Sequence, residues 1–127
     1  MNLNQVTMPA ADMAESTRFY RRMGFVQIVD TPHYARFECP QGDSTFSLAL
    51  QDAQAGSCTT IYFEDAQLDR WVAELVVKGF QFDQPPTDQR YLWREAVLRD
   101  PAGNQLKLYS AGTARKHPPW RVERRDP

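Results

Sequence analysis

The feature that most constrains this chain is that its order of elements runs twice. Shifted by 55 residues, Gln5 falls on Thr60, Val6 on Ile61, Met13 on Leu68, Gly24 on Gly79 and Phe25 on Phe80, without a gap. Shifted by 61, Ala35 falls on Ala96, Phe37 on Leu98, Pro40 on Pro101 and Gly42 on Gly103. Shifted by 58, Leu48 falls on Leu106, Ala49 on Lys107 and Leu50 on Leu108. The changing offset marks loop insertions and deletions. Many landmarks aligned in one order are the mark of a duplicated structural unit.

Each copy reads strand, helix, strand, strand, strand. In the first, strands are expected at 3–8, 25–29, 34–39 and 45–51, with residues 9–12 as a turn. Asp12 caps the helix, Glu15 stands three residues on, and Gly24 stops it. Met13, Thr17, Tyr20 and Met23 follow one helix face. In the second copy, strands are expected at 59–64, 80–82, 93–99 and 105–110. The helix between them carries Leu68, Trp71, Val72, Leu75 and Val76 at i, i+3, i+4, i+7 and i+8, which puts Trp71 in the core, and Gly79 ends it. One domain spans 1–127: module one at 3–51, a small, polar linker at 52–58, module two at 59–110 and a tail at 111–127.

Composition narrows the function classes. With 127 residues, 42% of them hydrophobic and 24% charged, the chain can bury a core without staples. A net charge of −1 leaves no basic excess for nucleic acid. No apolar run reaches the ~20 residues of a bilayer span, and Met1-Asn-Leu-Asn lacks a secretory pattern. Cys39 and Cys58 read as two reduced thiols, placing the chain in the cytoplasm. The tail holds Arg115, Lys116, Arg121, Arg124 and Arg125 against Glu123 and reads as a solvated end, with Trp120 anchoring it on the protein or on a partner subunit.

The paired βαβββ plan, the run 19–25 closing the first helix (Phe-Tyr-Arg-Arg-Met-Gly-Phe) and the run 98–106 before the last strand (Leu-Arg-Asp-Pro-Ala-Gly-Asn-Gln-Leu) resemble the vicinal oxygen chelate superfamily. That superfamily includes glyoxalase I, extradiol dioxygenases, fosfomycin-resistance enzymes and bleomycin-resistance proteins. The resemblance covers about residues 3–110, and the tail's His117-Pro-Pro-Trp-Arg121 is similar to the ending of some small bacterial members. It implies an α+β fold: two βαβββ modules forming an eight-stranded cup, helices outside, usually as a homodimer. The turn at 100–104 reads as a tight turn in which Asn104 bonds the turn's own backbone and which does no chemistry.

The resemblance also implies a metal site in metal-using members, with histidine or carboxylate ligands at four strand positions. Here those positions hold Gln5, Ala49, Thr60 and Lys107. A charged lysine has no lone pair to give a cation. His33 and His117 stand elsewhere and read as surface residues. No metal and no cofactor are therefore expected.

Strand alternation places Val6, Met8, Phe37, Phe46, Leu48, Leu50, Ile61, Phe63, Ala96, Leu98, Leu106 and Leu108 beneath the helices. The opposite face carries Gln5, Thr7, Arg36, Ser47, Ala49, Thr60, Tyr62, Glu64, Glu95, Val97, Lys107 and Tyr109, with Trp93 at a strand start. Walls with a few convergent polar groups suit a small molecule. Lys107 either pairs with Glu95 or Glu38 in an idle cavity or holds a ligand oxyanion, with Arg36 assisting.

The first reading is a metal-independent binding protein of the bleomycin-resistance type, its ligand touching Gln5, Thr7, Arg36, Ser47, Ala49, Thr60, Tyr62, Trp93, Glu95, Lys107 and Tyr109. The second is a glyoxalase-like lyase or isomerase, or a dioxygenase-like enzyme, with Lys107, Glu95 or Tyr62 catalytic. The third is an accessory subunit whose pocket is vestigial.

Overall fold

The computed structural model describes residues 1–52, 59–125 and 127; residues 53–58, which hold most of the expected linker and Cys58, lie outside the described residues. The first repeat is β1 (Gln5–Ala10), α1 (Met13–Met23), β2 (Val26–Asp30), β3 (Tyr34–Glu38) and β4 (Thr45–Leu50). The second is β5 (Thr60–Glu64), α2 (Leu68–Val77), β6 (Gln84–Asp88), β7 (Arg94–Arg99) and β8 (Gln105–Ser110). The sheet orders are β1-β4-β3-β2 and β5-β8-β7-β6, one topology used twice, and the class is α+β. The chain divides into two compact units, residues 1–61 with 99–106, and residues 62–98 with 107–127.

In the first unit, Asp12 Oδ1 accepts the Glu15 amide at 3.0 Å, and Gly24 closes α1 at φ 112°. That left-handed conformation costs glycine nothing and a side-chain-bearing residue about 1 kcal/mol or more. Tyr20 of α1 is buried together with Met8, Phe37, Phe46 and Leu48 of the sheet. Phe37 stacks on Phe46 at 5.1 Å, and Tyr20 meets Phe46 edge-on at 5.0 Å. Two expectations are corrected here. Pro9 lies within β1 rather than in a turn, because an edge strand tolerates a missing amide donor. Leu50 is 41% exposed rather than core, because it is the last residue of β4.

The turn after β7 also differs from expectation. The Asp100 carboxylate, 5% exposed, accepts from Tyr20 Oη at 2.6 Å, the Ala102 and Asn104 amides at 3.0 and 2.8 Å, and Asn104 Nδ2 at 2.7 Å. Asn104 Nδ2 also donates to the Pro9 carbonyl at 2.9 Å, so it ties two distant segments instead of bonding only its own turn. Burial, and next the Asp100 carboxylate, raise the Tyr20 phenol well above its ordinary value. A raised folded-state pKa gives stability that is complete below the unfolded value and lost as pH climbs toward the folded one. The urea midpoint of the wild type should therefore fall more steeply above about pH 10 than that of Tyr20→Phe; equal slopes would mean that Tyr20 is not the group held neutral.

In the second unit, Leu68, Val72 and Leu75 form the buried stripe of α2. Trp71 is half-buried and Val76 is 54% exposed, so the apolar face is narrower than its spacing suggested. Residues 80–82 are not a strand. Phe80 is instead buried just past the helix end, its amide bonded to the Leu75 carbonyl at 3.0 Å. The strand is β6, which contains Pro85 and Pro86 and pairs with β7 through a register shift between Gln84 and Thr87. Both prolines fit there because β6 is an edge.

Within the chain, the tail is held by residues other than Trp120. Trp120 is 56% exposed. Glu64 Oε2 instead accepts the Ala111 and Gly112 amides at 3.2 and 3.3 Å, and Glu64 Oε1 lies 3.5 Å from Arg115 Nε. Trp93 Nε1 donates to the Ala114 carbonyl at 3.3 Å. Among the described residues, no helix is long and apolar enough to cross a membrane.

Candidate functional site

The residues singled out by alternation gather in two clusters, one in each unit. In the second unit β8 supplies Lys107 and Tyr109, β5 supplies Tyr62, and β7 supplies Glu95 with Trp93 just before it. The Trp93 and Tyr109 rings stack at 4.6 Å and 18°. Tyr62 stands edge-on to both, 6.0 Å from Trp93 and 5.7 Å from Tyr109. Lys107 Nζ lies 5.5 Å from the Tyr62 ring centroid and 3.8 Å from Glu95 Oε1, so its partner is Glu95. The lysine side chain keeps 23% of its surface exposed, whereas that of Glu95 keeps 3%.

Glu95 is the most constrained member. Its Oε1 accepts the Tyr91 hydroxyl, while its buried Oε2 has no hydrogen-bond partner among the described residues. A buried acceptor left unsatisfied costs about 1–3 kcal/mol, more if charged. Desolvation, and next the Glu95 contact, push the Tyr91 phenol up to about 12. Burial, and next the Glu64 carboxylate, raise the Tyr109 phenol. Both phenols are thus neutral hydrogen-bonding walls at neutral pH rather than proton acceptors.

In the first unit, antiparallel pairing sets Arg36 opposite Ser47, and parallel pairing sets Gln5 opposite Thr45. Gln5 Nε2 donates to Ser47 Oγ at 2.5 Å, and Ser47 Oγ lies 2.6 Å from Tyr34 Oη. Arg36 Nε donates to Tyr34 Oη at 3.0 Å. Thr7, exposed, stands opposite Ser47, and Ala49, half-buried, stands opposite Tyr34, so both border the first-unit cluster, whereas Thr60 Oγ1 donates to Gln105 at 3.0 Å.

Two members escaped the sequence reading. Tyr34 is two residues from Arg36 on β3, so its placement on that face was readable from alternation. Tyr91 sits in the turn before β7 beside Leu92, which takes φ 71°, and nothing in the sequence marks it.

The four positions at which the resembled family carries metal ligands do not form a donor set. Gln5 offers only a neutral amide oxygen and Thr60 only a neutral hydroxyl, both weak ligands for a transition metal, Ala49 has no side-chain donor atom, and Lys107 stands beside Glu95 with no lone pair to give while charged. Among the described residues no group of three His, Cys, Asp or Glu is placed to hold an ion. A cavity of about 300 Å³ opens at the start of α2 beside Arg94, but Arg94 is bonded to Asp69 at 2.8 and 3.0 Å and to Asp88 at 3.1 Å.

Comparison with known proteins agrees with the fold. The model of the Glyoxalase/Bleomycin resistance protein/Dioxygenase superfamily matches residues 2–108. No curated protein gives a match. Among solved structures, the bleomycin resistance determinant encoded on transposon Tn5 superposes with a TM-score of 0.76 at 18% identity, covering 88% of this chain and 99% of that one. A bleomycin-binding protein complexed with bleomycin gives 0.73 at 18%, covering 87% and 98%. Lactoylglutathione lyase from Agrobacterium tumefaciens gives 0.71 at 17%, covering 86% and 92%.

Proposed function

Because the chain belongs to the glyoxalase/bleomycin resistance protein/dioxygenase superfamily, we propose that it is a metal-independent small-molecule-binding protein whose ligand site is the Lys107 cluster. One observation carries this reading: a partly exposed ammonium held by a buried carboxylate beside a stacked aromatic pair. The stack offers a flat apolar wall, and Lys107 offers spare donors to a ligand oxyanion. The ligand class is therefore a small planar molecule bearing an acidic oxygen. Binding of bleomycin by one structural neighbour supports a sequestering role for such a cluster. The protein acts in the cytoplasm as a homodimer, an arrangement in keeping with the commonest oligomer symmetry.

A second reading, a glyoxalase-like lyase or isomerase or a dioxygenase-like enzyme with Lys107, Glu95 or Tyr62 catalytic, is supported by the fold shared with lactoylglutathione lyase. A thermal-shift screen of aromatic acids, thiol adducts and aromatic antibiotics separates the two. Sequestration predicts a hit that raises the melting temperature, quenches Trp93 and is recovered unchanged. A hit consumed on incubation would replace binding with catalysis, and stabilisation by none of these classes would contradict both.

A further inference from the structure

We propose that Arg36 and Tyr34 form a second binding site, in the first unit, for an oxyanion such as a carboxylate or phosphate group. The site is built from the interior outward. Ser47 is fully buried and receives the Gln5 amide at 2.5 Å. It fixes Tyr34 Oη at 2.6 Å, and Tyr34 Oη in turn accepts Arg36 Nε at 3.0 Å, with the guanidinium 5.4 Å from the tyrosine ring centroid. This chain holds the arginine in one orientation, half-buried on the sheet face, by its Nε alone.

Its two terminal nitrogens have no partner among the described residues. That sets Arg36 apart from Arg70, Arg94, Arg115 and Arg121, each of which meets a carboxylate. A guanidinium presents a planar fork that matches an oxyanion two bonds at a time. A partly desolvated fork with no acid of its own suits an acid supplied by a ligand. The neighbouring phenol agrees: its pKa is lowered first by the Ser47 hydrogen bond and further by Arg36, whose Nε–H it accepts. Arg36 is the charged group acting on that phenol among the described residues.

The test uses the full chain carrying Lys107→Ala, so that the Lys107 cluster contributes no anion binding and the two proposals fail independently. Inorganic phosphate and acetate are titrated while the Arg36 Nε–H and Tyr34 Cζ resonances are followed by NMR. Saturable shifts at both are expected, and bound anion should move the Tyr34 titration upward, because it offsets the arginine's charge. Arg36→Gln should abolish the saturation, and Arg36→Lys, which keeps charge but not the fork, should weaken it about tenfold. Ser47→Ala should raise the Tyr34 titration and weaken binding several-fold. Unchanged binding in Arg36→Gln, or no saturable shift with either anion, would overturn the proposal.

Discussion

Replacing Lys107 with alanine is expected to weaken binding of an anionic aromatic ligand roughly 10- to 100-fold. A hydrogen bond to a charged group contributes about 1.5–3 kcal/mol, and each ~1.4 kcal/mol is a factor of ten in affinity. The substitution also leaves the Glu95 carboxylate, 2% exposed, without its cation and facing the incoming anion. Both effects act against the ligand, so the loss falls at the upper end of that range. The double variant Lys107→Ala/Glu95→Gln separates them: removing the stranded carboxylate should restore thermal stability and the part of the affinity lost to repulsion, but not the part lost with the Lys107 hydrogen bond. Calorimetric titration of a carboxylate hit into the three proteins makes the comparison. If Lys107→Ala binds like the wild type, Lys107 is a structural partner of Glu95 and the site lies elsewhere.

The second large effect concerns stability. Asp100→Ala removes the acceptor of four hydrogen bonds, including those from the buried Tyr20 hydroxyl and Asn104 amide. Stranded buried donors each cost about 1–3 kcal/mol, and relaxation absorbs part of the sum, so about 4 kcal/mol should be lost. For a chain of this length that corresponds to a fall of roughly 15 °C in melting temperature. Tyr20→Phe, which removes one donor and leaves the carboxylate three, should cost about a third as much. Thermal unfolding of both variants decides the matter; an Asp100→Ala protein that melts within a few degrees of the wild type would show that the turn is only a local bend.

The contrast between these residues explains what the sequence could tell. The duplicated order, the Asp12 cap and the Gly24 stop are local signals, and they recur where alternation and helix periodicity placed them. The buried face was readable too, apart from Leu50, exposed at the end of its strand, and Val6 and Ile61, which are half-buried near the starts of theirs. What failed depends on partners far along the chain. Asn104 bonds Pro9 across 95 residues, and no local pattern encodes that distance. Strand β6 was hidden because Gln84-Pro-Pro-Thr-Asp88 has no apolar alternation and only Thr87 as a β-former, and its two prolines fit a strand only at an edge. In the candidate site, Lys107, Glu95, Tyr62, Trp93 and Tyr109 were nameable from repeat and alternation. Which acid Lys107 would meet, and that Tyr91 would cap it, required the fold.

The central claim is a ligand site that works through Lys107 and its aromatic wall without a metal. Its most direct test is the affinity for a hit from the ligand screen, measured on protein before and after exhaustive chelation and again after adding back manganese, zinc or iron(II). The same dissociation constant in all states is predicted. Affinity that disappears on chelation and returns with one of the ions would contradict the account.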